Sequence, residues 1–215
     1  MKKKYEAIIF DVDGTIIDSD MMLVNSFNVL YDLYRDGKKT PQEEIYYFSG
    51  PPIRETLKKE FPHMDLDFMH QEYLRISPSF YETSITQMEG IEEVLTKLKQ
   101  LGFKLGVVTN KARKSTDKCL KLTKLDRFFD VVIGFDDVSE GKPSPEGLNK
   151  AMNLLSVNKE STLYVGDNVI DDLCAKNAGV DSAIVYFGRR TLPEELNPTI
   201  KLDSFMTLLK EAVYE

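Results

Sequence analysis

The sequence has few residues that could form disulfides or a zinc site. It contains two cysteines, Cys119 and Cys174, and two histidines, His63 and His70. Neither cysteine lies in a paired-cysteine or metal-ligand spacing, so a disulfide, a zinc site and a catalytic cysteine have little support. We therefore expect both thiols to be free.

Long apolar runs and an excess of positive charge are also missing. The basic start Lys2-Lys3-Lys4 leads into an apolar stretch that is broken by Glu6 and ends at Asp11, which is too short for a signal peptide or a membrane span. The chain has 28 Lys and Arg against 35 Asp and Glu, a formal net charge of −7. This balance argues against nonspecific binding to nucleic acid or to an anionic membrane. We predict a cytoplasmic protein with neither as a partner.

The length and the order of the elements predict the fold. At 215 residues, the chain can form one domain with an insertion or two small domains. Apolar runs typical of buried strands alternate with amphipathic helices, which predicts a parallel sheet with helices on both faces. The predicted strands are 7–10, 104–109, 131–134, 162–165 and 182–185. The block 16–84 has helical patterns at 18–34, 41–47, 53–60 and 65–76 and no convincing strand.

We therefore predict an α/β fold with a doubly wound parallel sheet. Residues 1–15 and 85–215 would form this core domain. Residues 16–84 would form an inserted, all-helical cap domain folded over the sheet.

Two carboxylates follow the first predicted strand. Strand periodicity would send Asp11 and Asp13 to the same side, and Gly14 would allow a sharp turn just afterwards. Two like charges so close repel each other, so a site that keeps both usually offers a cation or a shared proton. The alternative is a strand that simply runs into an acidic turn.

Other polar residues follow the later strands, and ligands of open α/β sheets gather at the carboxyl ends of strands. Thr109 and Asn110 follow the second strand, Asp167 follows the fourth, and Lys142 precedes a helix after the third. Carboxylates, a hydroxyl, an amide and a lysine suit phosphoryl transfer, and carboxylates beside phosphate imply Mg²⁺. The phosphate loop of P-loop NTPases is absent from the sequence. Taken singly, these residues could also be turn residues, a solvated lysine or, for Asp171, a favourable charge in the first turn of a helix.

Four motifs resemble those of a known family. Asp11-Val12-Asp13-Gly14-Thr15, Val107-Val108-Thr109-Asn110, Lys142-Pro143, and Gly166-Asp167 with Asp171 are similar in order and spacing to the motifs of the haloacid dehalogenase superfamily. The resemblance covers essentially the whole chain and implies a Rossmann-like core. The helical insertion is similar to the type I cap of that family.

The resemblance implies a role for each residue. Asp11 would attack phosphorus and form an aspartyl phosphate, and Asp13 would act as acid and then as base. The predicted site has Asp11, Asp13, Thr109 and Lys142 as catalytic residues, Gly14, Asn110 and Arg54 as substrate-binding residues, and Asp11, Asp13 (through its carbonyl), Asp167 and Asp171 as Mg²⁺ ligands.

The resemblance also narrows the reaction. Dehalogenating relatives lack an acid at the position of Asp13, which favours phosphate chemistry. The segment Phe48-Ser49-Gly50-Pro51-Pro52-Ile53-Arg54 resembles the Gly-Pro loop of the phosphoglycolate phosphatase and pyrophosphatase-like branch. Arg54 would meet a substrate carboxylate or second phosphate, or it is an ordinary surface arginine.

We therefore predict a Mg²⁺-dependent phosphatase of a small phosphorylated metabolite, acting as a monomer or weak homodimer. The alternatives are a phosphomutase of the β-phosphoglucomutase type and a noncatalytic phosphometabolite-binding protein.

Overall fold

The computed structural model describes residues 2–214, and a six-stranded parallel sheet forms its centre. The strand order is β6-β5-β2-β7-β8-β9, so the chain builds the sheet outward in both directions from β2. The strands are β1 Lys2–Lys3, β2 Ala7–Phe10, β3 Ile17–Asp18, β4 Thr86–Gln87, β5 Lys104–Val108, β6 Val131–Ile133, β7 Thr162–Gly166, β8 Asp181–Val185, β9 Ile200–Leu202 and β10 Val213–Tyr214.

The helices separate the strands along the chain. The α-helices are α1 Asp20–Tyr34, α2 Gln42–Ile45, α3 Ile53–Glu60, α4 Leu66–Ile76, α5 Tyr81–Ser84, α6 Ile91–Gln100, α7 Arg113–Leu122, α8 Glu146–Leu155, α9 Val169–Ala178 and α10 Phe205–Ala212. Short 3₁₀ turns occupy Tyr46–Phe48, Ser77–Phe80, Asp126–Phe128, Phe135–Asp137 and Lys159–Ser161.

Strand β2 lies in the middle of the sheet and is fully buried on both faces. Its side chains alternate, so that Ile8 and Phe10 pack into one apolar cluster while Ala7 and Ile9 pack into another. A parallel strand that is covered on both faces needs a continuous apolar run, which is what the sequence has here. Because β2 pairs with β5 on one side and β7 on the other, its carboxyl end is the point where the winding reverses.

The helices α1 to α5 form the insertion between β3 and β4. Their aromatic side chains pack together: the ring centroids of Phe27 and Phe48 are 4.8 Å apart, and those of Tyr31 and Phe61 are 5.7 Å apart. Asp65 caps α4, because its side chain accepts a hydrogen bond from the backbone N–H of Phe68. The predicted α/β fold with an inserted helical cap is confirmed.

A two-stranded antiparallel ribbon joins the insertion to the core. Its strands are β3 and β4, with Ile17 opposite Gln87 and Asp18 opposite Thr86. The expectation of no strand in 16–84 is therefore wrong at Ile17–Asp18, which is too short for a period-2 pattern to be visible. The division of the chain at 15/16 and 84/85 stays a prediction, and the ribbon lies beside both points.

Further departures from the sequence-based expectations lie near the carboxyl terminus. Strand β9 was not predicted, because three residues at a sheet edge give little periodicity. Strand β10 was not predicted either: α10 ends at Ala212, and Val213 begins this two-residue strand. Both cysteines are buried free thiols, as predicted. Within residues 2–214, no helix is long and apolar enough to cross a membrane.

Candidate active site

Asp11 lies at the carboxyl end of β2, on the floor of the candidate site. It is 2% exposed, and its backbone N–H donates to the carbonyl of Val165 in the neighbouring strand at 2.8 Å. Its Oδ1 atom lies 2.8 Å from Nζ of Lys142 in an ion pair. Apart from this ion pair, the buried oxygen has no hydrogen-bond partner among residues 2–214. Burial raises the pKa of Asp11 to about 6, even though Lys142 opposes the shift.

Lys142 comes from the loop that precedes α8, and Asn110 holds that loop in place. The side chain of Asn110 accepts from the backbone N–H of Lys142 at 2.8 Å and donates to its carbonyl at 3.1 Å. The ammonium also donates to Oδ1 of Asp171 at 2.6 Å. Despite burial, Asp11 and Asp171 keep the pKa of Lys142 above its usual value. Lys142 is therefore a buried, charged lysine shared by two carboxylates.

Asp171 lies in the first turn of α9, and both of its oxygens are engaged. Oδ2 accepts from the backbone N–H groups of Asp167 and Asn168 at 3.2 and 3.0 Å. Oδ1 accepts from Lys142 and from the hydroxyl of Tyr164. This arrangement orients the turn that carries Asp167.

Asp167 follows β7 and faces Asp11. Its Oδ1 accepts from the hydroxyl of Thr15 at 3.3 Å, and its Oδ2 pairs with the guanidinium of Arg190. Burial raises the pKa of Asp167 to about 7 although Arg190 opposes the shift, and the carboxylates of Asp171 and Asp11 raise it further. Burial and crowding with like charges thus disfavour its ionised form.

The site fits a hard divalent cation. Ligand oxygens of Asp11, Asp167 and Asp171 lie within 4.8 Å of one another, and all three residues are buried. Carboxylate oxygens are the ligands that Mg²⁺ takes in proteins. The raised pKa values of Asp11 and Asp167 indicate that Lys142 and Arg190 do not fully offset the burial of these carboxylates, so further positive charge would stabilise them.

Asp13 leaves the floor of the site and turns toward a cavity. Its carboxylate accepts from the hydroxyl of Ser19 at 2.5 Å and from Nζ of Lys111 at 3.0 and 3.1 Å. Burial alone would raise the pKa of Asp13, but Lys111 and Ser19 together hold it below its usual value. The pKa of Asp11 is therefore raised and that of Asp13 lowered, although the two residues are only two positions apart.

The cavity lies between the core and the helical insertion and measures about 90 Å³. Asp13, Thr109, Asn110 and Lys111 line it from the core. Residues from the insertion include Ser49, Gly50, Ile53, His70 and Tyr73. Thr109 follows β5, and its hydroxyl accepts from the backbone N–H of Lys111 at 3.2 Å. A cavity of this size suits a small ligand.

The loop that precedes α3 is docked onto the core. Asn110 donates to the carbonyl of Gly50 at 2.9 Å, and Asn168 donates to that of Ser49 at 3.4 Å. Gly50 has a φ of +109°, and a Cβ there would lie 2.7 Å from Nδ2 of Asn168. The loop needs glycine at this position for both reasons. The structure therefore has the insertion closed over the cavity.

Of the predicted substrate-binding residues, Gly14 lies inside the site and Arg54 lies on the surface. Gly14 is within the site, with a φ of +82°, and a Cβ there would collide with Asp167 and Arg190. Arg54 is 43% exposed, is paired with Asp67 at 2.6 Å, and is not among the residues that line the cavity. A role for Arg54 stays a prediction and would require this surface pair to open.

Sequence reasoning missed four residues of the site. Lys111 directly follows Thr109-Asn110, and this position could have been found by extending the motif by one residue. Ser19, Tyr164 and Arg190 carry no comparable signal. Arg190 in particular comes from the loop after β8 and reaches the site only through the tertiary fold.

The chain is similar to known proteins along most of its length. The family model described as haloacid dehalogenase-like hydrolase matches residues 8–185. Pyrophosphatase PpaX of Halalkalibacterium halodurans is 39% identical over 183 residues, which cover 85% of this chain and 84% of the relative. Pyrophosphatase PpaX of Bacillus cereus (strain Q1) is 36% identical over 210 residues, which cover 96% of this chain and 95% of the relative. A haloacid dehalogenase-like hydrolase structure from Bacteroides fragilis is 29% identical, with a TM-score of 0.81 over 87% of this chain and 90% of that chain.

Proposed function

Because the chain belongs to the haloacid dehalogenase-like hydrolase family, we propose that it is a Mg²⁺-dependent phosphatase acting through an aspartyl phosphate on a small phosphorylated metabolite. The observation that carries the proposal is the buried cluster of Asp11, Lys142, Asp167 and Asp171 at the carboxyl ends of the central strands. Within residues 2–214, Oδ1 of Asp11 meets the ammonium of Lys142 at 2.8 Å and has no further hydrogen-bond partner. An oxygen with one such contact keeps a lone pair that can attack phosphorus.

The proposed metal ligands are Asp11, Asp167 and the backbone carbonyl of Asp13, with Asp171 orienting the turn that carries Asp167. When bound, Mg²⁺ supplies positive charge that screens the carboxylates from the phosphoryl group. Lys142 supplies the second positive charge beside Asp11, at 2.8 Å from Oδ1. Screening by both makes a carboxylate a usable nucleophile toward phosphorus.

In the first half of the proposed reaction, a carboxylate oxygen of Asp11 bonds to phosphorus and the bond from phosphorus to the leaving oxygen breaks. Asp13 gives its proton to that oxygen. Thr109 and Lys142 donate hydrogen bonds to the phosphoryl oxygens that do not react. Asp13 is held by Lys111 and Ser19 at the edge of the cavity, where a leaving group would lie.

In the second half, Asp13 takes a proton from water while the water oxygen bonds to phosphorus and the bond to Asp11 breaks. Without substrate, Lys111 and Ser19 favour the ionised form of Asp13, which is the form needed as a base. A phosphoryl dianion that binds next to Asp13 would raise its pKa and so favour the protonated form needed as an acid. The closed insertion would keep bulk water out during the first half.

Pyrophosphate is the first substrate to test, because relatives 39% and 36% identical to this chain are named pyrophosphatases. Lys111 lies beside Asp13 on the leaving-group side, and its ammonium would pair with a second anionic group there. The cavity of about 90 Å³ favours a compact substrate of this kind. The two buried thiols and the net charge of −7 are consistent with our prediction of a cytoplasmic enzyme.

The test is phosphate release from p-nitrophenyl phosphate, pyrophosphate, phosphoglycolate and a hexose phosphate, with Mg²⁺ or with EDTA. We expect release with Mg²⁺, loss with EDTA, and a fall of about a thousandfold or more in Asp11→Asn. Asp117→Asn is the matched control, because it removes a half-exposed carboxylate (41% exposed) from a core helix. Full activity of Asp11→Asn would overturn the proposed nucleophile. A hexose phosphate isomer in place of free phosphate would show a mutase instead.

A further inference from the structure

We propose that Arg190 is a positioning residue that holds the carboxylate of Asp167 when no divalent cation is bound and must release it when the cation binds. This inference rests on the proposed Mg²⁺ dependence. Arg190 would thereby couple cation binding at the core to the closed position of the helical insertion.

The guanidinium of Arg190 is buried and makes three contacts, each with a different nitrogen. Nη1 pairs with Oδ2 of Asp167, Nη2 donates to Oδ1 of Asp20 at 2.8 Å, and Nε donates to the carbonyl of Tyr46 at 2.6 Å. The side chain is 5% exposed. A buried arginine with every nitrogen engaged is held in one position.

Arg190 and a divalent cation would compete for one oxygen, Oδ2 of Asp167. The other oxygen of Asp167 already accepts from Thr15, so Oδ2 is the oxygen available to a cation. The guanidinium can reach Asp167 because residue 14 is glycine: any Cβ at that position would collide with both groups. A cation that binds Asp167 through Oδ2 therefore has to break the ion pair with Arg190 first, and its measured affinity is lowered by the cost of doing so.

The other two contacts of Arg190 join the core to the insertion. Asp20 begins α1, and Tyr46 begins the 3₁₀ turn ahead of the docked loop. Arg190 comes from the core loop after β8, so its bonds to Asp20 and Tyr46 tie the insertion to the core. Displacement of Arg190 by a cation would weaken that tie. By linkage, closure of the insertion then lowers the affinity for the cation, and a bound cation disfavours closure, in the enzyme without substrate.

A second cavity beside Arg190 offers room for the displaced side chain and a route for the incoming cation. It measures about 620 Å³ and is bounded by Gly14 and Arg190 on the side of the site. Five carboxylates and one further arginine complete its charged lining: Asp18, Asp20, Glu89, Glu93, Asp203 and Arg189. The excess of negative charge would attract a divalent cation to this side of the site.

The first experiment is calorimetric titration of Mg²⁺ into the metal-free full chain, without substrate. We expect Arg190→Gln to bind Mg²⁺ about tenfold or more tightly than the wild type, because one charged hydrogen bond no longer has to be broken. Arg190→Lys keeps the charge and should lie closer to the wild type. Arg189→Gln is the matched control, because it removes the neighbouring, 46% exposed arginine that pairs with Asp18 and Asp20; we expect wild-type affinity.

The outcomes separate this inference from the proposed function. If the wild type binds Mg²⁺ and Arg190→Gln binds it equally or more weakly, the inference is overturned while the proposed function stands. If Arg189→Gln tightens binding as much as Arg190→Gln does, general charge explains the effect and the inference is also overturned. If neither the wild type nor Arg190→Gln binds Mg²⁺, the proposed metal dependence fails and the inference fails with it.

The second experiment is hydrogen exchange of the wild type with and without Mg²⁺, which needs no variant to fold. We expect Mg²⁺ to speed exchange in the segment 42–48 around Tyr46, because this segment loses its bond to Arg190. Arg190→Gln should exchange quickly there in both conditions. Protection of 42–48 that is unchanged or increased by Mg²⁺ in the wild type, under conditions where calorimetry shows binding, would overturn the inference.

Discussion

Replacement of Lys142 by methionine should destabilise the metal-free protein far more than loss of an ordinary lysine. The ammonium lies 2.8 Å from Oδ1 of Asp11 and 2.6 Å from Oδ1 of Asp171, and its side chain is 2% exposed. Methionine fills a similar volume without charge. The variant would therefore keep two buried carboxylates and lose the cation between them.

The magnitude follows from the two distances. At an effective dielectric constant of about 20, each pair contributes about 6 kcal/mol of attraction. The wild type also loses several kcal/mol from removing the ammonium from water, and the variant does not. The summed attraction is therefore an upper bound, and we expect a loss of about 3–5 kcal/mol in the free energy of unfolding, the usual range when one partner of a buried pair is removed.

The assay is urea unfolding in EDTA at pH 8, followed by circular dichroism. Lys176→Met is the matched control: Lys176 also donates at 2.6 Å to a buried carboxylate, that of Asp172, but its side chain is 53% exposed. A pair with a solvated lysine contributes about 1 kcal/mol or less. Equal losses for the two variants, both near 1 kcal/mol, would refute the reasoning.

The loss in Lys142→Met should also depend on pH. Burial raises the pKa of Asp11 to about 6 in the folded wild type, and Lys142 opposes that shift. Removing Lys142 would raise this pKa further. The unpaired charge on Asp11 would then disappear as pH falls from 8 to 5, and the gap to the wild type should narrow. A gap that widens toward pH 5 would contradict the account of Asp11.

Three further outcomes can be measured. Gly50→Ala should lower stability by about 1–3 kcal/mol in urea and raise KM, because the φ of +109° and the contact with Asn168 exclude a Cβ; an unchanged KM would contradict the closed loop. Lys111→Met should move the limb of the kcat/KM pH profile that reports Asp13 to higher pH, because Lys111 lowers that pKa. Thermal melts in EDTA should show the protein losing stability as pH rises from 5 to 8. The pKa of Asp167 is about 7 in the folded state and 3.8 in the unfolded state, so its stabilising contribution is full below pH 4 and is lost as pH rises through 7. Mg²⁺ should abolish that loss.

Much of the core could be predicted from local pattern. The run from Ala7 to Phe10 is apolar at every position because β2 is covered on both faces, and the observed strand has the predicted bounds. Helix α3 also has the predicted bounds, since Pro52 and Phe61-Pro62 punctuate its helical pattern. The short strands β3 and β9 were missed because two or three residues carry no readable period.

The candidate site divides in the same way. Asp11, Asp13, Lys142 and Asp167 could be identified because each follows a strand or precedes a helix in an ordered motif, and parallel strands bring their carboxyl ends to one edge. Arg54 could not be placed, because nothing in the sequence distinguishes a surface ion pair with Asp67 from a ligand contact.

The sequence by itself determined the parallel sheet and the meeting of the motif carboxylates, because strand periodicity and the order of the motifs are local properties of the chain. Only the tertiary structure decided which charged side chains surround each carboxylate of the site. Lys111 lies 98 residues from its partner Asp13, and Arg190 lies 23 residues beyond Asp167 and 144 beyond Tyr46. Such contacts form only when distant parts of the chain fold together. Burial then raises the pKa of Asp11, whereas Lys111 and Ser19 hold that of Asp13 below its usual value.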